Sequence, residues 1–297
     1  MTTRDINPEP GIYNDIPFDE YLRWNCFSKS MIEATMRSAK HLNHYMNNPK
    51  KSNALTIGSL VDSMITDPEE VKNYVILPET VTVKDKGKNK EKPWNNSLKV
   101  CKEMIAELTK KGRIPIKHEQ MQLAEDLARS INENQTAKKI IDESVCQISM
   151  VWRDKDTNIL CKGRLDFYRD DAIADLKTTR DAEIGAFSRD MYNFGYHEQA
   201  AIYTDGWYEL SGIQLPFQII AAEKNPPFGT IVYNVGDATI KEGRLSYKKA
   251  LMTYAHYLET DPELTKGYST IEQDIEIPHW AFTDDNDFDE KLLEETE

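Results

Sequence analysis

The chain has no pair of cysteines at the spacing of a zinc site or a disulfide framework. Cys26, Cys101, Cys146 and Cys161 are scattered with no C-x-x-C among them, so reduced, mostly buried thiols are expected. No apolar run approaches the ~20 residues of a membrane span. Met1 to Pro10 holds no apolar signal region, so the cytoplasm is the expected location. Repeats and low-complexity segments are absent apart from an acidic tail. Positive charge is scarce too: the net charge is −13, which weighs against a protein that grips nucleic acid. That deficit is uneven. From Thr283 to Glu297 eight acids (Asp284, Asp285, Asp287, Asp289, Glu290, Glu294, Glu295, Glu297) stand against Lys291, a local −7 on a segment expected to be disordered. Lys84 to Lys92 carries five lysines against Asp85 and Glu91, and its low hydrophobicity reads as a mobile loop, either a solvated linker or a contact to a nucleic-acid backbone.

What is present is a globular composition, 39% hydrophobic and 29% charged over 297 residues, enough for one large domain. Asn7 to Pro17 is punctuated by Pro and Gly and reads as extended. Ser30 with Glu33 fits a capping box, and Ile32, Thr35, Met36, Ala39, Leu42, Tyr45 and Met46 recur at helical spacing until Pro49. A second helix is expected from about Ala54 to Thr66, its apolar face made by Ile57, Leu60, Val61, Met64 and Ile65. Asp62 falls inside that face, and Gly58 one turn earlier removes a side chain beside it. Asn96 to Lys111 and Lys117 to Ile141 read as helical scaffold. Val145 to Trp152 reads as the first strand of a sheet, with Gln147 on the face opposite Ile148, and Asp154 to Asn158 as a turn. A helix over Tyr196–Leu210, strands over Phe217–Glu223 and Thr230–Val235, and a closing helix over Ile240–Leu258 complete the pattern.

The chemistry concentrates in one hairpin. Leu160 to Phe167 and Ala172 to Lys177 are short apolar-rich runs joined by Tyr168-Arg169-Asp170-Asp171, a turn-forming cluster. Alternation puts Asp175 and Lys177 on one face, away from Ala174 and Leu176. It also puts Arg164 and Asp166 on a face opposite Leu165 and Phe167. Pairing the polar faces brings two carboxylates and an ammonium to the edge of an apolar core, where an unpaired charge is costly. Two carboxylates with open positions suit Mg²⁺, and a nearby lysine can orient a water. An Asp-x-Lys triplet alone is weak evidence, and a surface salt bridge to Lys177 is the bland reading, but that reading leaves unexplained why all three charges fall beside apolar runs.

Gly163-Arg164-Leu165-Asp166, Asp175-Leu176-Lys177-Thr178-Thr179 and Tyr196-His197-Glu198-Gln199-Ala200-Ala201-Ile202-Tyr203 together resemble the PD-(D/E)xK nuclease superfamily. Within it the likeness is to RecE-type (exonuclease VIII) phage and prophage exonucleases, relatives of lambda exonuclease. It extends from about Gly11 to about Ala281 through Gly11-Ile12-Tyr13, Phe27-Ser28-Lys29-Ser30-Met31, the Leu55–Asp62 segment, Pro226-Pro227-Phe228 and Ile277-Pro278-His279-Trp280-Ala281. The resemblance implies an α/β fold, a restriction-endonuclease-like core with a central mixed sheet flanked by helices. One nuclease domain over 1–282 is expected, with a helical part at about 11–141 and a core at about 143–235, followed by the tail at 283–297. It implies Mg²⁺, with Mn²⁺ able to substitute, held by Asp166 and Asp175 with the Leu176 carbonyl. Lys177 is then the water-orienting group, with Gln199 and Tyr203, four apart and so on one helix face, flanking the site. DNA contacts are implied for Ser28, Lys29, Ser30, Arg164 and Thr178, although capping alone accounts for Ser30, and His41 and Ser38 read as surface or packing residues.

Two departures stand out. The family often has an acid where this chain has Gln147, which puts a metal role for Gln147 in doubt. It commonly has Gly-x-x-x-His where this chain has Gly58-Ser59-Leu60-Val61-Asp62, which makes Asp62 a candidate third metal ligand; the bland alternative is an Asp62 at the rim of the face, reaching water or a lysine. Some related nucleases hold an iron-sulfur cluster on one early cysteine and a late trio; no cysteine follows Cys161, so none is expected. The expected activity is a 5′ to 3′ exonuclease on linear duplex DNA ends, leaving 3′ single strands for an annealing partner in phage recombination, with a ring-shaped oligomer as the assembly. An endonuclease or repair nuclease, and a non-catalytic binding module on the same fold, are the rivals.

Overall fold

A computed structural model describes residues 4–48, 52–85 and 88–278. Residues Met1–Lys266 form one compact unit and Gly267–Glu297 a second. In the second unit the described residues, 267–278, form no helix or strand. The boundary read at 282 falls inside it, and the acidic tail lies outside the described residues.

The strands are β1 Gly11–Tyr13, β2 Tyr74–Ile76, β3 Thr80–Asp85, β4 Lys88–Pro93, β5 Ile114–Ile116, β6 Val145–Arg153, β7 Leu160–Arg169, β8 Ala172–Thr179, β9 Phe217–Glu223 and β10 Thr230–Asn234. The α-helices are α1 Phe18–Arg23, α2 Ile32–Arg37, α3 Ala39–Asn47, α4 Asn53–Thr66, α5 Lys99–Lys110, α6 His118–Glu133, α7 Gln135–Asp142, α8 Ile184–Asn193, α9 Tyr196–Ser211 and α10 Asp237–Thr260. The central sheet has the order β1-β6-β7-β8-β9-β10, antiparallel except for β8 with β9. That parallel pair requires a crossover, which α8 and α9 supply. This is the mixed sheet flanked by helices that the sequence implied.

The sheet is buried on both faces. On β9, Ile219 and Ala221 pack in one cluster with Ala200, Ala201 and Ile202 of α9 and Ala250 and Leu251 of α10. Ile220 and Ala222 pack in the other, with Leu60 and Val61 of α4, Leu127 and Ile131 of α6 and Ile140 of α7. Such continuous apolar strands are what a sheet covered on both sides demands. α9 and α10 touch closely: a Cβ on Gly243 would lie 2.0 Å from the His197 carbonyl oxygen. The extended N-terminal segment closes the sheet edge, and buried Lys162 on β7 anchors it by donating to the carbonyls of Tyr21 (2.7 Å) and Trp24 (2.9 Å).

Four local readings change. Of the Lys84–Lys92 segment, the described residues 84–85 and 88–92 are strand and not loop: Val81 and Val83 face Lys92 and Lys90 in the antiparallel β3–β4 pair, an alternation that the lysines disguise. The helix expected from Ser30 onward breaks at Ser38, whose extended backbone ends α2 and whose Oγ accepts from the His41 N–H, capping α3. The expected Ser30 cap is replaced by a short 3-10 turn, Lys29–Met31. Asn134 likewise divides the 117–141 stretch by accepting from the Ala137 N–H.

Candidate active site

The hairpin opens where the carboxylates sit. β7 and β8 pair at Arg169↔Ala172, Tyr168↔Ile173 and Phe167↔Ala174, and there the ladder stops. In the same register the next positions would be Asp166 opposite Asp175. Instead, Asp166 Oδ2 accepts the Leu176 backbone N–H at 2.9 Å, so a side chain takes up a donor left free by the parting strands. The sequence placed Leu165 and Phe167 on one face, but Leu165 packs with the α9 and α10 layer and Phe167 with the α4, α6 and α7 layer. The alternation thus slips at Asp166. Its cross-strand neighbour Gln147 has φ of +59°, and the β6–β7 register passes it by, from Cys146↔Phe167 to Ile148↔Leu165.

Asp175, only 2% exposed, accepts from Gln199 Nε2 through Oδ1, while its Oδ2 makes a close ion pair with Lys177 Nζ. That ion pair is the contact Oδ2 makes, with no well-aligned hydrogen bond beside it. The Lys177 ammonium also lies 5.0 Å from the Tyr196 ring centroid. Burial alone would lower the Lys177 pKa, but Asp175 and Asp166 outweigh it and raise it, so the ammonium is firmly charged. Asp166 is pushed well above the usual carboxylate range by burial, then by Asp175 and Asp62. Removing Lys177 would therefore leave a buried carboxylate without its counter-ion.

Asp62 reaches the same cluster from α4. Its Oδ2 accepts from Gln147 Nε2 at 2.9 Å, and Gln147 Oε1 accepts from Arg164 Nε at 2.7 Å. Asp62 Oδ1 is buried with no partner. Burial and the charge of Asp175 push the Asp62 pKa up to about 7, against the opposing pull of Arg164. Gly58 brings α4 against the end of β8, where its Cβ would lie 3.9 Å from Thr178 Oγ1.

Tyr203 of α9 lies over Gly163, where a Cβ would meet Met150 Cε at 2.9 Å and the Tyr203 ring at 3.0 Å. Lys29 Nζ donates to the Phe194 carbonyl, and burial, then the neighbouring Lys177, lowers its pKa to about 8. Ser28 is buried and shares a 3.1 Å hydrogen bond with the exposed Ser30. Arg164 turns inward to Gln147 and the Ile16 carbonyl (2.7 Å) rather than outward. His41 accompanies Ser38 in the α3 cap. The structure thus gathers Asp62, Asp166, Asp175, Leu176, Lys177, Gln199 and Lys29 at the opening, with Tyr203 on the α9 face behind it. Sequence reading missed the Arg164–Gln147–Asp62 chain and Tyr196 beneath Lys177. Only the Tyr196–Gln199 spacing of three on one helix face signalled the latter.

Among the described residues no three His, Cys, Asp or Glu side chains form a ready-made metal cage, and the four cysteines are free. The donor set nonetheless fits a hard cation. Mg²⁺ is commonly held by one or two carboxylates with waters and substrate oxygens completing its shell, and two buried carboxylate oxygens here, Asp62 Oδ1 and Asp175 Oδ2, lack hydrogen-bond partners.

A mixed sheet that parts to seat Asp166, Asp175 and Lys177 between flanking helices is the PD-(D/E)xK nuclease-type fold. The chain belongs to the family described as a PDDEXK-like domain of unknown function (DUF3799), which matches residues 27–266. Among solved structures it is similar to one from Eubacterium rectale called "Putative exonuclease", with 19% identity over 84% of this chain and 91% of that one and a TM-score of 0.54. Protein VC1899 from Vibrio cholerae also matches, at 12% identity over 82% of this chain and 61% of that one, with a TM-score of 0.20. No curated protein matches the chain. No described helix is long and apolar enough to cross a membrane.

Proposed function

We propose that this chain is a metal-dependent deoxyribonuclease, an exonuclease of the RecE type that acts 5′ to 3′ on linear duplex DNA ends and leaves 3′ single strands for recombination. The observation that carries this reading is the opening of the β7–β8 ladder at Asp166 and Asp175, with Lys177 paired to the second carboxylate. Family membership supports a nuclease, and the Eubacterium rectale likeness supports the fold.

Asp166 and Asp175, with the Leu176 carbonyl and Asp62, would hold Mg²⁺, or Mn²⁺ in its place. Bound there, the ion would polarise a phosphoryl oxygen and make a coordinated water more acidic. Lys177 orients the attacking water and stabilises the charge that develops on the phosphate. Gln199 fixes the Asp175 carboxylate, and Gln147, itself held by Arg164, fixes Asp62. Tyr203 braces Gly163 and with it the strand that carries Asp166. Lys29, Ser30 and Thr178 would contact strand phosphates. A bacterial host's cytoplasm, a phage or prophage origin, a single-strand annealing partner and a ring-shaped homo-oligomer complete the reading.

The test is purified full-length protein with Mg²⁺ on 5′-labelled linear duplex beside closed circular DNA. Release of short labelled products from the linear substrate, with the circle intact, is expected. Cutting of the circle would instead indicate an endonuclease, and binding without cleavage of either would indicate a non-catalytic module.

A further inference from the structure

The last turn of α8 and the link to α9 present aromatic rings to solvent beside the catalytic opening. Tyr192 is 77% exposed and Phe194 55% exposed. Both are held. Tyr192 stacks on His197 with ring centroids 5.7 Å apart and planes 16° apart, and the His197 ring is fixed by a 3.0 Å contact from Nδ1 to the Met191 carbonyl. Phe194 rests on Tyr196 at 5.7 Å, and Tyr196 packs in turn against buried Phe187 at 6.1 Å. Gly195, with φ of +64°, makes the turn that sends these rings outward. Two ammonium groups lie behind the rings: Lys29 Nζ donates to the Phe194 carbonyl, and Lys177, paired with Asp175, sits 5.0 Å from the Tyr196 ring centroid.

A surface of exposed rings beside ammonium groups complements a strand that offers flat bases and phosphates together. We infer that Tyr192 and Phe194 form a stacking platform for unpaired nucleobases of the strand whose phosphate enters the Asp166–Asp175–Lys177 opening. This rests on the proposed nuclease function and deepens it, because a stacking platform needs bases that have left the duplex. The strand end that enters the opening is then unpaired, as at the frayed terminus of a linear duplex. Stacking tolerates any base, so no sequence preference accompanies it.

The test uses the full chain in EDTA, so that binding is read without cleavage, with two fluorescein-labelled probes of equal length: a mixed-sequence single strand, and a strand of abasic residues that keeps the phosphates and lacks the bases. The parent should bind the normal strand about tenfold or more tighter, since base–aromatic stacking is worth ~1–3 kcal/mol per base. Tyr192→Ala and Phe194→Ala should each lose most of that difference while binding the abasic strand like the parent, and Phe194→Tyr should keep it. Equal binding of the two probes by the parent, or unchanged discrimination in both alanine variants, overturns the platform and leaves the nuclease reading standing. A parent that binds neither probe overturns the platform, while the nuclease reading stands or falls on cleavage of linear duplex. Sedimentation velocity adds a further arm: if the alanine variants change the oligomeric state and not the discrimination, the rings serve contacts between copies and the inference fails.

Discussion

The Gln147 side chain donates to Asp62 Oδ2 at 2.9 Å and accepts from Arg164 Nε at 2.7 Å, so a neutral amide couples a carboxylate on α4 to a guanidinium on β7. Gln147→Met keeps the length and removes the donor. Both Asp62 oxygens would then lack a partner, a loss of about 1–3 kcal/mol for an unsatisfied buried acceptor. Urea unfolding in EDTA should show a reduced midpoint, and an unchanged midpoint would mean that water replaces the amide.

Asp62 also sets a pH dependence. Its folded pKa is raised from 3.8 to about 7, so the folded state binds this proton more tightly than the unfolded chain does. Metal-free stability attributable to Asp62 is therefore present below about pH 4, falls as pH rises to about 7, and stays lower above that. Asp62→Asn should flatten this slope and be the more stable form at pH 8 in EDTA, by up to a few kcal/mol. It should also weaken Mg²⁺-dependent cleavage. Parallel pH profiles of parent and variant, with equal cleavage, would exclude Asp62 from the site.

Lys177→Ala should abolish cleavage and, because Asp175 then stands unpaired, cost about 3–5 kcal/mol without metal. Adding Asp175→Asn to that variant should recover most of the stability and none of the activity. Thermal unfolding of the parent, the single and the double variants separates the lysine's two roles.

Where a mobile loop was expected, Lys84, Lys88, Lys90 and Lys92 lie on the paired strands β3 and β4. If this pair lies along DNA, Lys88→Gln and Lys90→Gln should weaken binding uniformly across sequences, and each should lower the slope of log K against log salt by about one. A slope equal to the parent's would make the pair scaffold only.

Much of this was legible in the sequence because it depends on local periodicity. The 2-residue repeat put Asp175 and Lys177 together, the 3.6-residue repeat put Gln199 and Tyr203 on one face, and Gly58 marked the close approach of α4 to β8. What escaped depends on long-range geometry. The parting of β7 from β8 and the slip at Asp166 arise from pairing with β6 and β9, which no window of β7 contains. The Arg164–Gln147–Asp62 chain spans 85 residues from Asp62 to Gln147. Ser38 breaks its helix through a cap that competed with an unbroken apolar pattern.

The central claim is that the Asp166–Asp175 opening binds the metal that cleavage requires. The most direct measurement is label release from 5′-labelled linear duplex across a Mg²⁺ series, for the parent and for Asp175→Asn. The account predicts a parental rate that rises and saturates with Mg²⁺, is zero in EDTA, and falls at least a thousandfold, about 4 kcal/mol of barrier, in Asp175→Asn. Cleavage by the parent in EDTA, or cleavage by Asp175→Asn at the parental rate, would contradict it.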